Sequence, residues 1–184
     1  MKASIFAILA LLGTVHASSL LARNGFVRFF STTPMENIEG VSRTAVSTLD
    51  LDSGKIAIRA RNTSFIFPRP LMQEHFNENY MESDKFPVSA FNGLVTGIDR
   101  AALEAGKKIP VTVAGDLDVH GVVKHYTTTG FLQKEPDGSV DGETAFHVRI
   151  ADHAIKIPSL VIAKIADSMD ITARFAWRAA ETKK

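Results

Sequence analysis

The sequence contains no cysteine among its 184 residues. This absence excludes a disulfide framework, a thiolate nucleophile, a zinc site with cysteine ligands, an iron–sulfur cluster and a lipid anchor attached through cysteine. The chain also lacks an excess of charge of one sign, since 21 basic and 20 acidic residues give a formal net charge of +1. The strongly basic surface that nucleic-acid binding requires is therefore absent, and no nucleic-acid partner is predicted.

The composition is that of one globular domain. Hydrophobic residues make up 45% of the chain and charged residues 22%, which differs from the composition of disordered and fibrous proteins. The length suits one domain and is too short for two ordinary ones. A chain of this size buries roughly 70% of its unfolded surface, so packing alone can stabilise it without disulfides.

The first residues have the three-part pattern of a secretory signal. Lys2 precedes an apolar run from Ile5 to Leu12, and Val15-His16-Ala17 places small or aliphatic residues at a cleavage position. The pattern predicts a signal peptide over residues 1–17, with cleavage after Ala22 as the alternative site. It also predicts a mature domain over residues 18–184 that is periplasmic or secreted. An uncleaved membrane anchor is disfavoured because polar residues interrupt the segment.

The remaining sequence is typical of consecutive β-strands. Segments rich in Val, Ile, Phe and Thr alternate with turn signals that contain Gly, Asp, Asn or Pro. Ile109–Val119 is the clearest, because its apolar residues recur with the period of two that marks a half-buried strand. Eight strands are predicted, over Gly25–Thr32, Ile38–Leu49, Lys55–Phe67, Phe86–Ile98, Ile109–Val119, Val122–Gln133, Ser139–Ala151 and Met169–Arg178.

Two segments depart from this alternation and predict short helices. Pro70–Tyr80 has apolar residues at helical spacing, and Pro70 suits the first turn of a helix. Ser159–Asp167 follows Pro158 and carries closely spaced aliphatic residues. A single further helical turn is expected over Ala101–Ala105.

Eight antiparallel strands with one apolar face each favour a closed barrel, because curling the sheet until its edges meet removes the exposed edges. An eight-stranded barrel has an interior that side chains just fill, or that holds one small ligand. Two packed sheets in a sandwich are the alternative. The predicted fold class is all-β, an eight-stranded antiparallel lipocalin-like barrel with one or two short helices.

Two strings of the sequence carry distinctive runs of residues. The first, Phe67 to Val95, has a short helical segment, a Ser-Asp-Lys-Phe-Pro run and then Phe91. The second, Val111 to Tyr126, carries a Gly-Asp-Leu run, a His-Gly-Val run and Lys124. Both strings resemble segments of the YceI-like family of exported lipid-binding barrels. Asp118 and Val123 depart from the threonines that are commoner in that family.

The resemblance extends from about Gly25 to Trp177, nearly the whole mature chain. Its Met72–Asn77 string is similar to the branch of the family found in Bacteroidetes-type bacteria. The resemblance implies a barrel with an elongated internal cavity that sequesters or carries a long apolar ligand. A polyisoprenoid, an isoprenoid quinone and a fatty-acyl compound are the ligand classes that it implies, with no enzymatic activity and no other cofactor.

The candidate ligand-binding residues form two groups. Inward-facing apolar side chains of the strands are expected to line the core or the cavity: Phe29, Phe67, Phe91, Val111, Val113, Leu117, Phe131, Phe146, Val148, Phe175 and Trp177. The alternative for this group is that its members simply fill the barrel. The helix predicted at 70–80 is expected to act as a lid that offers Phe76 to the tail and His75, Asn77 or Tyr80 to the head group. The alternative is that these side chains only dock and brace the helix.

Other chemistries have weaker signals. The mature chain has five histidines, but no His-Glu-x-x-His string, so no metal site is predicted. His120, beside Gly121, is expected to be a turn residue whose ring meets a backbone carbonyl. The sequence also has no Gly-x-Ser-x-Gly elbow and no glycine-rich phosphate loop, so an enzyme is not predicted.

Two rival functions remain open at this point. One is a metal- or redox-linked periplasmic protein that uses histidines, and the other is a solid barrel that acts as an interaction module. The predicted partner is the lipid or isoprenoid ligand, with a transient membrane contact and a homodimer left open.

Overall fold

A computed structural model of the protein describes residues 19–157 and 165–179. Eight antiparallel strands follow one another in chain order around a closed barrel, with the first strand hydrogen-bonded to the last. The predicted all-β barrel is confirmed. The strands are β1 (Ser19–Thr32), β2 (Asn37–Asp50), β3 (Lys55–Arg61), β4 (Val88–Thr96), β5 (Ile109–Val119), β6 (Val122–Lys134), β7 (Val140–Arg149) and β8 (Ser168–Ala179).

Short helices cover the two ends of the barrel. Helix α1 (Pro70–His75) continues into a π-helical turn, Phe76–Tyr80, and lies between β3 and β4. Helix α2 (Arg100–Glu104) lies between β4 and β5, where the Asp99 carboxylate accepts a hydrogen bond from the Ala102 N–H at 3.0 Å. Because β4 runs from one helix to the other, α1 and α2 lie at opposite ends, which are called the lid end and the α2 end below.

The helix predicted over Ser159–Asp167 falls mostly outside the described residues, and residues 165–167 are not helical. None of the helices in the described ranges is long and apolar enough to cross a bilayer.

Strand β1 begins at Ser19, earlier than the predicted Gly25. Its pairing with β2 is irregular between Ala22 and Val27, where Arg23 and Asn24 break the apolar alternation. A bulge of this kind shifts which side chains point inward, so alternation alone does not reveal that the strand continues.

Strand β3 ends at Arg61 rather than at the predicted Phe67. The buried Asn62 starts a 3-10 turn there, with its side-chain amide donating to the Phe86 carbonyl at 2.5 Å and its Oδ1 accepting from Ser89 at 2.8 Å. The side-chain amide of Asn62 makes these hydrogen bonds only when the chain leaves the sheet at this point.

The end of the barrel at α2 is packed solid. Leu103 of α2 is fully buried, and the indole N–H of Trp177 donates to the Ser47 hydroxyl at 3.0 Å. The side chains that fill this packed half include Leu49, Ile56, Val95, Leu103, Ile109, Val111, Leu132, Val140, Phe175 and Trp177. Val113 packs against them with part of its surface exposed.

Inward-pointing aromatic rings lie over glycines of neighbouring strands. A β-carbon placed on Gly25 would lie 2.0 Å from the Phe175 ring, and one on Gly142 would lie 2.7 Å from the Trp177 ring. The rings therefore occupy the space that larger residues at these glycines would take. Such pairs of an aromatic residue and a glycine tighten the packing of a strongly curved sheet.

Candidate ligand-binding cavity

The half of the barrel at the lid end encloses a cavity of about 460 Å³. Pockets for small molecules have volumes of roughly 300–1,000 Å³, so one ligand fits. Inward side chains of the strands make an apolar wall, which comprises Val27, Phe29, Ile38, Ile58, Ala60, Ala90, Phe91, Leu117, Val119, Phe146, Val148, Met169 and Ile171.

Individual strands pass from cavity wall to packed core along their length. On β5, Leu117 and Val119 line the cavity, whereas Val111 is 5% exposed in the packed half. On β8, Ile171 lines the cavity and Phe175, further along the same face, belongs to the packed half. The cavity therefore extends from the lid end only part of the way through the barrel.

Phe76 covers part of the cavity at the lid end. Its ring centroid lies 5.2 Å from that of Phe29, 5.9 Å from Phe65 and 4.9 Å from Phe67. These four rings, called the aromatic cluster below, hold the lid on the barrel and also line the cavity. Contacts between aromatic rings at these distances stabilise by about 0.5–1.5 kcal/mol beyond area burial.

Asn77 braces the lid and does not line the cavity. Its side-chain amide donates to the Gln73 carbonyl at 2.9 Å, and its Oδ1 accepts from the Ser83 hydroxyl at 2.7 Å. The structure places Asn77 away from the cavity wall, and the alternative, a bracing role, describes its hydrogen bonds. Polar side chains on short helices often bond the local backbone in this way.

Two polar groups of the lid face the cavity without a hydrogen-bond partner among the described residues. They are the imidazole of His75, an exposed residue, and the hydroxyl of the half-buried Tyr80, both of which line the cavity. The hydrogen bond from the Met81 N–H to the Phe76 carbonyl, at 2.8 Å, has the i→i+5 spacing of a π-helix. Burial raises the pKa of Tyr80 above its usual value of 10.0, so the hydroxyl stays protonated at neutral pH.

A buried histidine seals the wall where two strands separate. The β6–β7 ladder covers only Gly130–Lys134, and the 3-10 turn Ile150–His153 packs against the rest of β6. His153 is 0% exposed, its Nδ1 lies 2.9 Å from the Val122 carbonyl, and the Tyr126 hydroxyl lies 3.0 Å from its Nε2. A neutral ring that donates from Nδ1 and accepts at Nε2 satisfies both partners.

His120 fastens the chain that follows the lid to the barrel. Its Nε2 lies 3.0 Å from a carboxylate oxygen of Glu82, and its Nδ1 lies 3.3 Å from the His153 carbonyl. The expectation of a turn residue whose ring meets a backbone carbonyl is confirmed. Hydrogen bonds from Lys85 and His120 hold the pKa of Glu82 below its usual value of 4.5.

A salt bridge lies at the mouth of the cavity. Arg69, just before α1, pairs with Glu36 in the loop between β1 and β2, and both line the cavity. Leu71 also lines the cavity while it is 59% exposed, so it marks the place where the interior meets solvent.

The predicted ligand-binding residues fall into two groups. Those that line the cavity are Phe29, Phe67, His75, Phe76, Tyr80, Phe91, Leu117, Phe146 and Val148. Those that do not are Asn77, Val111, Val113, Phe131, Phe175 and Trp177. Alternation shows which face of a strand points inward but not where along it the packed core ends. For this reason the sequence groups Val111, Val113, Phe175 and Trp177, which pack in the core, with the residues that line the cavity.

Phe131 lies on the outer face of the barrel, contrary to the prediction. It pairs with the exposed Pro110, while the adjacent Leu132 pairs with the buried Ile109. The Lys108 ammonium lies 3.5 Å from the centroid of the Phe131 ring. Two consecutive apolar residues leave the phase of the alternation ambiguous, and the cation over the ring makes the outward position favourable.

The prediction omitted several cavity residues that lie on the same inward faces. Met169 and Ile171 share a face with Phe175 in the sequence, so alternation was sufficient to find them. Phe65 follows the end of β3, outside any strand, and only the tertiary structure brings it to the aromatic cluster.

The histidines of the described ranges do not converge. No group of three or more His, Asp and Glu side chains in these ranges is placed to hold a metal ion. His125 pairs with Asp116 at 2.8 Å and His147 with Asp170 at 2.6 Å, and all four side chains are exposed.

The fold matches solved structures at low sequence identity. A polyisoprenoid-binding domain from Saccharophagus degradans implicated in plant cell wall breakdown has a TM-score of 0.74 at 16% identity, over 90% of this chain and 100% of that one. BcnA from Burkholderia cenocepacia has a TM-score of 0.69 at 12% identity, over 84% and 96%. A YceI protein from Campylobacter jejuni has a TM-score of 0.57 at 13% identity, over 99% and 94%.

Among curated protein sequences, none matches this chain. A family model described as the YceI-like domain, in contrast, matches residues 20–177, which include all eight strands except the ends of β1 and β8. With a closed eight-stranded barrel and an apolar internal cavity, the chain belongs to the YceI-like family.

Proposed function

We propose that the protein binds an apolar ligand in the cavity at the lid end of the barrel and sequesters or carries it. The observation that carries this proposal is the apolar cavity of about 460 Å³, which the aromatic cluster partly covers at the lid end and the packed half ends at the other. A solid barrel serving only as an interaction module does not account for this space. The family membership and the polyisoprenoid-binding neighbour support an isoprenoid, an isoprenoid quinone or a fatty-acyl compound as the ligand.

The energetics favour binding through the tail. At about 0.8 kcal/mol for each buried methylene, a chain that fills the cavity offers on the order of 10 kcal/mol of gross stabilisation. The loss of freedom on association opposes this by an estimated 4–15 kcal/mol. Burial of the tail therefore supplies most of the affinity. A few polar contacts at the lid supply the rest and set the orientation of the ligand. The role is one of binding and not of catalysis.

Export is part of the proposal, because an apolar ligand needs a carrier in an aqueous compartment such as the periplasm. The secretory pattern over residues 1–17 supports it. The pairing of β1 supports cleavage after Ala17, since Leu20 pairs with both Leu49 and Ala179 and Ala22 is 4% exposed. Cleavage after Ala22 would remove these contacts.

The ligand enters at the mouth beside Leu71. Met35 and Ile66, near the same end, are also largely exposed, at 64% and 60%. Exposed apolar side chains beside the mouth suit brief contact with a membrane surface, from which an insoluble ligand is taken up. Formation of a homodimer stays a prediction, which light scattering on the purified protein tests.

Organic extraction and mass spectrometry of protein purified from its native host test the proposal. We expect one lipid molecule per protein, and a melting temperature that rises when the delipidated protein is given a prenol or quinone. Phe146→Trp narrows the cavity, whereas the control variant Val123→Trp changes an exposed side chain at the start of β6. The first variant should copurify with a lipid of shorter chain, and the second should keep the lipid of the unaltered protein. Absence of lipid from the unaltered protein, together with no stabilisation by added ligand, would refute the proposal.

A further inference from the structure

We propose that the cavity takes a neutral lipid whose enclosed chain has about fifteen carbon atoms and whose uncharged head group hydrogen-bonds to His75 and Tyr80. This inference rests on the proposed function and narrows it to one class of ligand. It excludes full enclosure of a long polyprenyl chain, and it excludes fatty acids and prenyl diphosphates as preferred ligands.

The first reason for the limit on the length of the ligand chain is the volume of the cavity. The cavity measures about 460 Å³. A carbon of a fluid lipid chain takes up about as much space as a water molecule, about 30 Å³, so the cavity holds on the order of fifteen such atoms. A chain of three isoprene units or an acyl chain of similar size fills this space.

The second reason for the limit on chain length is that aromatic rings close the inner end of the cavity, which is called the floor below. The ring of Phe91 lines the cavity and lies across the two facing glycines of β4 and β5, so that a β-carbon on Gly115 would lie 2.8 Å from it. Beyond it, the Phe175 ring lies over Gly25 and stacks on Trp177 at a centroid distance of 5.3 Å. Trp177 is held in turn by its hydrogen bond to Ser47. A longer chain enters only if these close-packed rings move.

The charge preference follows from the lining residues. Among those that the structure describes, only Glu36 and Arg69 carry a fixed charge, and they are paired with each other. His153 has both ring nitrogens bonded within the barrel wall. Among the residues that the structure describes, no unpaired cation therefore lines the cavity to compensate a carboxylate or a diphosphate, and an anion drawn inside without a partner is strongly disfavoured.

The head-group position follows from the lid. His75 and Tyr80 line the cavity and have no hydrogen-bond partner among the described residues, which leaves a donor and an acceptor on each side chain for the ligand. The π-helical turn brings His75 and Tyr80 close together, because its i→i+5 spacing places residues five apart on one side of the lid. A hydroxyl, a carbonyl or a carboxamide matches such a pair of groups.

Binding to the delipidated full-length mature protein, measured by native mass spectrometry and by displacement of a fluorescent lipid probe, tests both limits. One series varies the tail, with prenyl alcohols of ten, fifteen, twenty and forty carbon atoms. A second series keeps fifteen carbons and varies the head among the alcohol, the carboxylic acid and the diphosphate. We expect the fifteen-carbon alcohol to bind at least tenfold more tightly than the forty-carbon alcohol and than either anion.

Variants separate the two parts of the proposal. Phe91→Leu opens the floor and should move the preferred length to longer chains, whereas Ile171→Phe narrows the cavity and should move it to shorter ones. Tyr80→Phe should reduce the preference for the alcohol without changing the preferred length. Val123→Ala, on an exposed position, is the matched control and should change neither.

Tight binding of the forty-carbon alcohol, or tighter binding of the carboxylic acid than of the alcohol, would overturn this inference while leaving the proposed function intact. Absence of binding by every member of both series would instead count against the proposed function itself.

Discussion

The indole N–H of Trp177 on β8 donates to the hydroxyl of Ser47 on β2, at 3.0 Å, inside the packed half of the barrel. The two strands are separated by β1, so the bond joins strands that share no ladder. Both side chains are buried, with 3% and 1% of their surface exposed. The bond therefore has no competition from water and fixes the indole in the core.

Removing this bond should destabilise the fold without changing ligand binding. We expect Ser47→Ala to lower the free energy of unfolding by about 1–3 kcal/mol, because the buried indole N–H is left without an acceptor. Urea unfolding of Ser47→Ala, Trp177→Phe and the double variant measures the coupling between the two residues. Additive effects of the two substitutions would show that the hydrogen bond contributes nothing.

A tryptophan placed in the cavity and one placed in the packed half should behave differently. Phe146 lines the cavity, whereas Val113 packs against the filled core. We expect Phe146→Trp to shorten the accepted tail with little change in stability. Val113→Trp should instead lower the free energy of unfolding by about 1–3 kcal/mol, because it overpacks the core. Thermal melts and ligand chain-length profiles of both variants distinguish these outcomes. Equal effects of the two variants on the accepted chain length would contradict the division of the barrel into a cavity and a packed half.

The glycine of β2 that faces the aromatic cluster should not tolerate a side chain. A β-carbon on Gly40 would lie 2.3 Å from the Phe29 ring and 3.0 Å from the Phe67 ring. We expect Gly40→Ala to displace Phe29, to loosen the lid and to cost about 1–3 kcal/mol of unfolding free energy. Combining it with Phe29→Leu makes room and should restore part of the stability. A double variant that is less stable than the sum of the two singles would contradict this account.

Acid should weaken the attachment between Glu82 and His120. The pKa of Glu82 is lowered in the folded state by hydrogen bonds from Lys85 and His120. A lowered pKa in the folded state means that the carboxylate stabilises the fold above its unfolded pKa, and that this contribution is lost as the pH falls through the folded value. Melting temperatures of the unaltered protein and Glu82→Gln, compared from neutral pH down to below pH 4.5, test this.

Glu82→Gln keeps an acceptor oxygen for His120 but does not ionise, so its stability should fall less steeply on the acidic side. Equal slopes for the two proteins would contradict the prediction. Glu74→Gln is the matched control, because Glu74 is an exposed residue of α1.

The mature chain should begin at Ser18. Leu20 and Ala22 make ladder and core contacts within β1, and a chain that begins at Arg23 loses them. Mass spectrometry of the exported protein measures the terminus directly. We expect a protein produced from Arg23 onwards to melt at a lower temperature than one produced from Ser18, and equal melting temperatures would contradict this expectation.

Strand content and closure into a barrel were predictable because they depend on local patterns. Alternation in Ile109–Val119 located β5 to the residue, and the proline at residue 70 marked the start of α1. Errors occurred where alternation stops, at the bulge that hides the start of β1 and at Asn62, whose side-chain bonds end β3. The candidate site was predictable to the extent that it follows inward faces, as for Phe146 and Val148.

By itself, the sequence determined that this chain folds into β-strands with one apolar face each, because side-chain alternation along a strand is a local property of the backbone. Only the tertiary structure decided that Phe175 and Trp177 fill the barrel while Ile171 and Phe146 border open space. Whether an inward side chain meets another across the barrel depends on the stagger of all eight strands and on rings that lie over glycines such as Gly25. That arrangement is a property of the closed sheet and not of any one strand.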